Sequence, residues 1–510
     1  MRRFREFRAP SLRIPLKSKS IISLLRFSAL SVFLLYSTAS VLNLRLSFPQ
    51  PPPQGIGIIG IRDDQSILKF HFKSTKPVLL EARKEEQEHS SHIPCSSFIN
   101  GISVEEIRKT KKRHEKGILC CDRSHYRTDI CYMRGDIRTV SESSSILLHD
   151  VEAAKGEERI RPYTRKWETG IMDTVDELRL RPINGTAGKR RCDVEHRVPA
   201  VVMSTGGYTG NVYHEFNDGL LPLFLTAERF KGEVAVVAVE FHRWWLTKYE
   251  AVLQKLTNYP VVDFSGDPRV HCFPEIIVGT KIHGELAVDP SLANGKTIHD
   301  FRALLARAFQ APPSSDQAKI KPSPGLRRKP TIAIFTRDKS RRLLNLKDVE
   351  KICRRTGFEV VTLNPKKDTP VSALFAALDS ADAMLGVHGA ALTHLLFMNP
   401  GSVFVQIVPL GLDWAAAEYY GDPAKRLGLV YVAYNVTVEE SSLSGEYGST
   451  DPVLVDPASV NKRGWTETKR VYLEKQNVRV DLRRFRRVIE RAYSYVIIRS
   501  KSRYRRRSPA

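Results

Sequence analysis

Nowhere in these 510 residues does an Asp-x-Asp occur, the spacing that lets two carboxylates share a divalent cation with a diphosphate. That argues against an obligate metal while leaving a divalent cation open. The seven cysteines, Cys95, Cys120, Cys121, Cys131, Cys192, Cys272 and Cys353, contain no C-x-x-C pair, so a zinc site is not indicated. Their odd number leaves at least one unpaired within the chain, and the pairing stays open. No internal repeat and no separated pair of carboxylates stands out, which speaks against a solenoid and a glycoside hydrolase. There is also no stripe of alternating aromatic and basic residues on which single-stranded nucleic acid would stack.

What the chain has in excess is positive charge, 80 Lys and Arg against 56 Asp and Glu, a formal +24. Much of it sits at the two ends. Arg2, Arg3, Arg5, Arg8, Arg13, Lys17 and Lys19 precede an apolar run, and Arg499 to Arg507 form a polar tail. Nucleic acid is therefore not an expected partner. The run from Ile21 to Leu42 has the length of a bilayer span, and its basic flank should stay cytoplasmic with the bulk of the chain luminal. The rival reading is a cleaved signal peptide. Asn184-Gly-Thr186 and Asn435-Val-Thr437 are glycosylation sequons that fit a luminal body.

The predicted organisation is a basic tail over 1–20, a transmembrane signal anchor over 21–42 and a Pro-rich, charged stem over 43–115. One α/β domain follows over 116–310, a proline-rich linker over 311–330, and a second domain over 331–498 that ends in a helix. A basic tail over 499–510 is too polar to fold. In both domains short β-branched runs alternate with amphipathic patterns, as in 200–239 and 331–408. That describes parallel sheets covered by helices, with a cleft at the strands' C-terminal ends.

Three stretches carry chemistry. Gly386-Val-His-Gly-Ala-Ala-Leu-Thr-His394 runs from a strand end into a helix, where free backbone N–H groups favour phosphate. Gly386, His388, Gly389, Ala390 and His394 are thus candidate donor-binding residues. Arg337 and Arg341 follow the first strand of the same domain, and their planar forks suit a diphosphate. In Gly206-Gly-Tyr-Thr-Gly-Asn-Val-Tyr-His-Glu-Phe-Asn-Asp218, His214 and Asp218 share a helical face. With Glu215 they are the candidate catalytic residues, His214 as a carboxylate-oriented base.

With these segments in place the chain resembles glycosyltransferase family 61, in its plant xylan arabinosyl- and xylosyltransferase branch. The matching stretches include Cys121 to Cys131, Gly206 to Asp218, Trp244 to Tyr249, Thr336 to Asn345, Gly386 to His394 and Tyr419-Tyr-Gly-Asp-Pro423, in one order from Cys120 to Tyr493. The resemblance implies a single-pass type II Golgi membrane protein with two Rossmann-like domains facing a cleft (GT-B type) and inversion at the anomeric carbon. It also implies a UDP-pentose donor, xylose or arabinofuranose, and a xylan-type polysaccharide acceptor. The N-terminal domain would take the acceptor and the C-terminal domain the donor. The family's Trp-Ala-Ala-Glu pattern appears as Trp414-Ala-Ala-Ala417, with Glu418 one place later, which bears on donor choice. Two rival functions are xylose transfer to protein-linked N-glycans and a non-catalytic carbohydrate-binding scaffold.

Overall fold

Five mostly apolar strands in the second half of the chain pair side by side and in parallel, with helices connecting them. They are β11 (Thr331–Phe335), β12 (Glu359–Leu363), β13 (Ala383–Val387), β14 (Val403–Val408) and β15 (Val430–Asn435), in the order β12-β11-β13-β14-β15. The direction of strand addition reverses between β11 and β13. Loops leaving two such neighbours diverge and open a crevice. The computed structural model describes residues 95–101, 117–151, 156–185, 188–310 and 328–505. The expected cytoplasmic tail, the Ile21–Leu42 anchor, most of the stem and most of the 311–330 linker lie outside them. Among the described residues no helix is long and apolar enough to cross a membrane.

The first sheet differs from the expected parallel one. Its strands β1 (Ile118–Asp122), β2 (Ile130–Val140), β3 (Ser145–His149), β4 (Glu158–Ile160), β5 (Leu178–Ile183), β6 (Val194–Glu195), β7 (Ala200–Ser204), β8 (Ala235–Val239), β9 (Val262–Asp263) and β10 (His271–Val278) form a ten-stranded mixed sheet. The strands β10-β7-β8-β9 form a parallel block, and β6 pairs β10 and β3 pairs β5 in parallel as well. β2 joins β10 antiparallel and extends the sheet through β3 and β5. The alternating Leu178-Arg-Leu180-Arg pattern, buried at Leu178 and Leu180 and exposed between, is the half-buried strand signature that this extension required. Strand order also reverses between β7 and β10, so this sheet has its own crevice.

Three disulfides tie the first sheet: Cys95–Cys120, Cys121–Cys131 and Cys192–Cys272. Cys121 and Cys131 sit opposite each other in the β1–β2 ladder. Cys353 is free and buried, and burial pushes its thiol up to about 12, which makes it inert at neutral pH. The Cys95 bridge anchors the short helix Cys95–Asn100, whose Phe98 stacks on Tyr132 at 5.3 Å. This helix lies within the stretch read as stem.

Both sheets share one apolar cluster. Val201 and Met203 of β7 belong to it together with Met384 of β13 and Phe404 of β14. Phe216 packs on Phe397 at 5.8 Å and Phe375 on Phe397 at 5.4 Å, which closes the contact between the two halves. Residues 88–510 accordingly form one compact unit. The C-terminal helix Leu482–Arg505 buries Phe485, Ile489, Ala492 and Val496 at helical spacing. Held along that face, it runs on to Arg505, so the first part of the expected unstructured basic tail is helical. Asn184 and Asn435 are both exposed.

Candidate active site

In the first sheet's crevice the loop after β7 carries two glycines at positive φ. Gly207, at φ 60°, packs so closely on Tyr163 that a Cβ there would lie 2.6 Å from the ring. Asn211 then caps the next helix by accepting from the Tyr213 N–H at 3.0 Å. From Glu215 to Leu220 the helix widens into a π-helix, a distortion found mostly at functional sites.

This turn fixes His214. Its Nδ1 lies 2.6 Å from Asp218 Oδ2, and its ring stacks on Tyr208 at 4.2 Å. Asp218 is fully buried and accepts also from Arg165 Nε at 3.0 Å, Asn217 Nδ2 at 2.9 Å and Thr164 Oγ1 at 3.2 Å. Burial pushes its carboxyl up, but the bond from His214 and the Arg165 charge outweigh that and hold it below the usual carboxylate range. An ionised carboxylate only accepts, so the imidazole proton sits on Nδ1. No side chain among the described residues hydrogen-bonds Nε2, which leaves that nitrogen open to a substrate.

A second carboxylate, Glu285 after β10, closes the same crevice. It accepts from Arg127 at 2.7 Å and from the Tyr213 hydroxyl, and Arg165 lies 3.8 Å away. Arg127, Arg165 and Glu285 were not among the expected site residues. Arg127 lies inside the family-like Cys121–Cys131 stretch, so a signal existed there, whereas Arg165 and Glu285 become visible only through the fold. Glu215 turns the other way. Its carboxylate accepts from the Tyr249 hydroxyl and sits 3.5 Å from Lys248 Nζ. That places it at the wall of a cavity of about 800 Å³ with Gly206, Glu240, Trp244, Lys367 and Asp368. The structure therefore brings His214 and Asp218 together and separates Glu215 from them.

The second crevice holds the arginines. Arg341, in a left-handed backbone conformation at φ 54°, donates from NH1 to the His388 carbonyl at 3.1 Å, and Arg337 Nε donates to the Ser340 carbonyl at 3.0 Å. Neither guanidinium pairs with a carboxylate among the described residues. Burial first, then the neighbouring Arg337, pushes Arg341 down to about 9, and burial lowers Arg337 as well. Two adjacent cations in low dielectric without an acid between them are stabilised by an incoming anion. Beside them lies a cavity of about 520 Å³ bordered by Arg337, Arg341, Asn345 and Arg479.

Gly389 makes this approach possible. It sits at φ 153°, and a Cβ there would collide with the Arg337 guanidinium and lie 3.1 Å from Arg341 NH1. Gly389→Ala should therefore displace the arginines, weaken binding of a diphosphate at least tenfold and lower the melting temperature somewhat; titration calorimetry with UDP on the folded variant measures the first effect. His388 is buried, and its Nδ1 faces Gln406 Nε2 at 2.9 Å, while Gln406 Oε1 accepts from Tyr431. Burial, then Arg341 and Arg337, push His388 down to about 3, so it is neutral with its proton on Nε2, a donor rather than a cation.

Other members of the expected anion loop take different places. Gly386 is a packing glycine in β13, since a Cβ would meet Leu392 at 2.7 Å. His394 turns into the core, hydrogen-bonded to the Ala391 carbonyl at 2.7 Å and stacked on Phe335, and burial pushes it down to about 4. Ala390–Phe397 is a 3₁₀ helix rather than an α-helix, so its start at Ala390 presents a narrower set of N–H groups.

The two crevices meet. Tyr213 lies 5.8 Å from Tyr420, and Tyr420 lies 5.3 Å from His388. Tyr420 belongs to a second π-helix, Ala417–Gly421. Glu418, just before it, is raised by burial first and by Glu285 second, and it feels Arg127 and Arg165. It therefore faces the first sheet's polar cluster. Among the described residues no group of three or more His, Cys, Asp or Glu side chains gathers as a metal site.

A histidine held by a buried carboxylate and, across the Tyr213–Tyr420 contact, two arginines without an ion-paired acid among the described residues are features that a group-transfer site requires. Comparison with known proteins agrees. The family model Glycosyltransferase 61 matches residues 213–405, which span both halves. Xylan glycosyltransferase MUCI21 of Arabidopsis thaliana is 47% identical over 410 residues, 78% of this chain and 83% of its own. Alpha-1,3-arabinosyltransferase XAT3 of Oryza sativa subsp. japonica is 34% identical over 424 residues, 80% of this chain and 72% of its own. Beta-1,2-xylosyltransferase XYXT1 of the same rice is 35% identical over 393 residues, 73% of this chain and 83% of its own. The chain belongs to glycosyltransferase family 61, and it is a glycosyltransferase that uses a nucleotide-sugar donor.

Proposed function

We propose that this enzyme moves a pentose, xylose or arabinofuranose, from a UDP-sugar to a xylan-type polysaccharide, with inversion at the anomeric carbon. The observation that carries the reading is the pair of half-buried guanidiniums without an ion-paired carboxylate among the described residues, Arg337 and Arg341, set beside His388 and joined through Tyr420 and Tyr213 to the His214–Asp218 pair. The relatives' activities supply the sugar and the acceptor. The two crevices act as the facing lobes of a GT-B type enzyme, the donor lying on β11 and β13 and the acceptor on β7 and β10.

His214 Nε2 takes the proton of the acceptor hydroxyl while that oxygen bonds to the anomeric carbon. The bond from the anomeric carbon to the β-phosphate oxygen breaks, and UDP leaves with the electron pair. Arg337 and Arg341 hold the charge that develops, which is the larger contribution in such sites. Asp218 keeps the imidazole in the tautomer that accepts the proton and stabilises the imidazolium that forms. A divalent cation on the diphosphate is an optional addition.

The same reading places the enzyme in the Golgi membrane through Ile21–Leu42, with the body luminal. Three disulfides suit an oxidising lumen, and exposed Asn184 and Asn435 are open to glycosylation. Screening UDP-xylose, UDP-arabinofuranose and UDP-N-acetylglucosamine against xylo-oligosaccharides and an N-glycan core tests the assignment. Pentose transfer to the xylo-oligosaccharides is expected. Transfer to the N-glycan alone, or hydrolysis with no transfer, overturns it.

A further inference from the structure

Three of the chain's five tryptophans, Trp167, Trp414 and Trp465, are 45%, 42% and 45% exposed and belong to ring contacts that lead to the base. On one side Tyr126 lies 6.0 Å from Trp167. The Arg127 and Arg165 guanidiniums lie 4.6 and 5.2 Å from the Trp167 ring. Those arginines hold Asp218 and Glu285, so Trp167 is one side chain removed from His214. On the other side Tyr213 meets Tyr419 at 5.4 Å, Tyr419 meets Trp414 at 5.9 Å, and Trp414 meets Trp465 at 6.3 Å. Tyr213 itself touches the His214 ring edge-on at 5.3 Å.

Such rings cost free energy to leave in water and mark a surface that binds something. The flat C–H faces of a pyranose stack on indole and phenol rings, while its edge hydroxyls reach charged groups. Arg127, Arg165 and Glu285 lie buried between the two aromatic arms, and exposed Glu418 borders the second. Both arms lead to His214, so their occupant is the molecule whose hydroxyl reacts there. A linear polysaccharide matches the two arms, because each sugar offers an apolar face and a polar rim.

We infer that Tyr126–Trp167 and Tyr419–Trp414–Trp465 are the two arms of one carbohydrate track that crosses the reacting centre. The acceptor is then gripped over several consecutive sugars on both sides of the hydroxyl that reacts. The enzyme decorates internal residues of a polymer instead of extending a short chain. Trp167 and Trp465 act here by binding and positioning the acceptor. The inference rests on the xylan reading for the identity of the sugar.

The test compares xylobiose with xylohexaose, using the full-length protein and UDP-xylose. The expected kcat/KM is at least about tenfold higher for the hexamer, and Trp465→Ala, at the far end of its arm, loses roughly that factor on the hexamer, through KM, and less on the dimer; Trp167→Ala, whose ring braces Arg127 and Arg165, loses activity on the dimer as well and more on the hexamer. Trp465→Phe should restore most of the loss, which a folding defect would not explain. Equal efficiency on both lengths, or equal losses on both in the variants, overturns the track. Tryptophan fluorescence with xylohexaose and no donor reads the same surface independently of transfer. Quenching without transfer keeps the track and sinks the pentosyltransferase reading, while no quenching sinks the track.

Discussion

Replacing His214 with Ala should lower kcat by roughly a thousandfold, the range in which a positioned general base contributes, and leave the Kd for UDP within about twofold. The reason lies in the division of labour between the crevices. His214 is held by Asp218 and Tyr208 in the first sheet and makes no hydrogen bond to the arginine cradle. His214→Gln is the sharper variant, since it keeps a polar side chain and removes only the basic nitrogen. Single-turnover assays with the donor pre-bound isolate the chemical step. A kcat close to wild type in His214→Gln would assign proton removal to another group, with Glu418 the nearest alternative on the opposing half.

Removing Arg341 should do the reverse. Arg341→Ala is expected to weaken UDP binding about a hundredfold and to lower turnover as well, because the same charge is needed more strongly as UDP departs. Arg341→Lys should recover only part of the loss, since an ammonium cannot reproduce the two-pronged contact of the fork. There is a stability signature too. UDP at a hundred times its Kd should stabilise the wild type by about 2.7 kcal/mol, and at that concentration the variant should gain well under 1 kcal/mol. The unliganded variant should be no less stable than wild type, because in the free protein Arg341 sits beside Arg337 with no ion-paired acid among the described residues, only the more distant Glu474 charge, to offset it. A large fall in the variant's own melting temperature would instead make Arg341 a structural residue.

Much of the fold was legible in the sequence where the pattern is simplest. The buried parallel strands 331–335, 383–387 and 403–408 are runs of Val, Ile, Ala, Leu and Phe bounded by helices, and they sit where that pattern places them. The mixed extension β1–β5 was not legible. Its strands carry Arg, Asp and Glu on one face, as in Leu178-Arg-Leu180-Arg, and such alternation is easily read as loop. The disulfides were not legible either, since pairing depends on which strands lie opposite each other.

For the site, His214, Asp218, Arg337, Arg341, His388 and Gly389 carry the right residue types in strand-to-helix turns, and the folding of those turns gathers them. Gly386 and His394 belong to the same motif but serve packing, a distinction set by which way a side chain leaves a strand or a 3₁₀ turn. Arg165 and Glu285 lie on opposite sides of the β7–β10 crevice, more than a hundred residues apart in the chain. Only the mixed sheet brings them to Asp218, so no local pattern names them.

Hydrogen exchange with and without UDP asks most directly whether the nucleotide lies on the second sheet's crevice. The account predicts slowed exchange in 336–345 and 387–391, with the amides of 205–218 slowed little until an acceptor is added. Protection by UDP of 205–218 alone, with 336–345 and 387–391 unchanged, would contradict it.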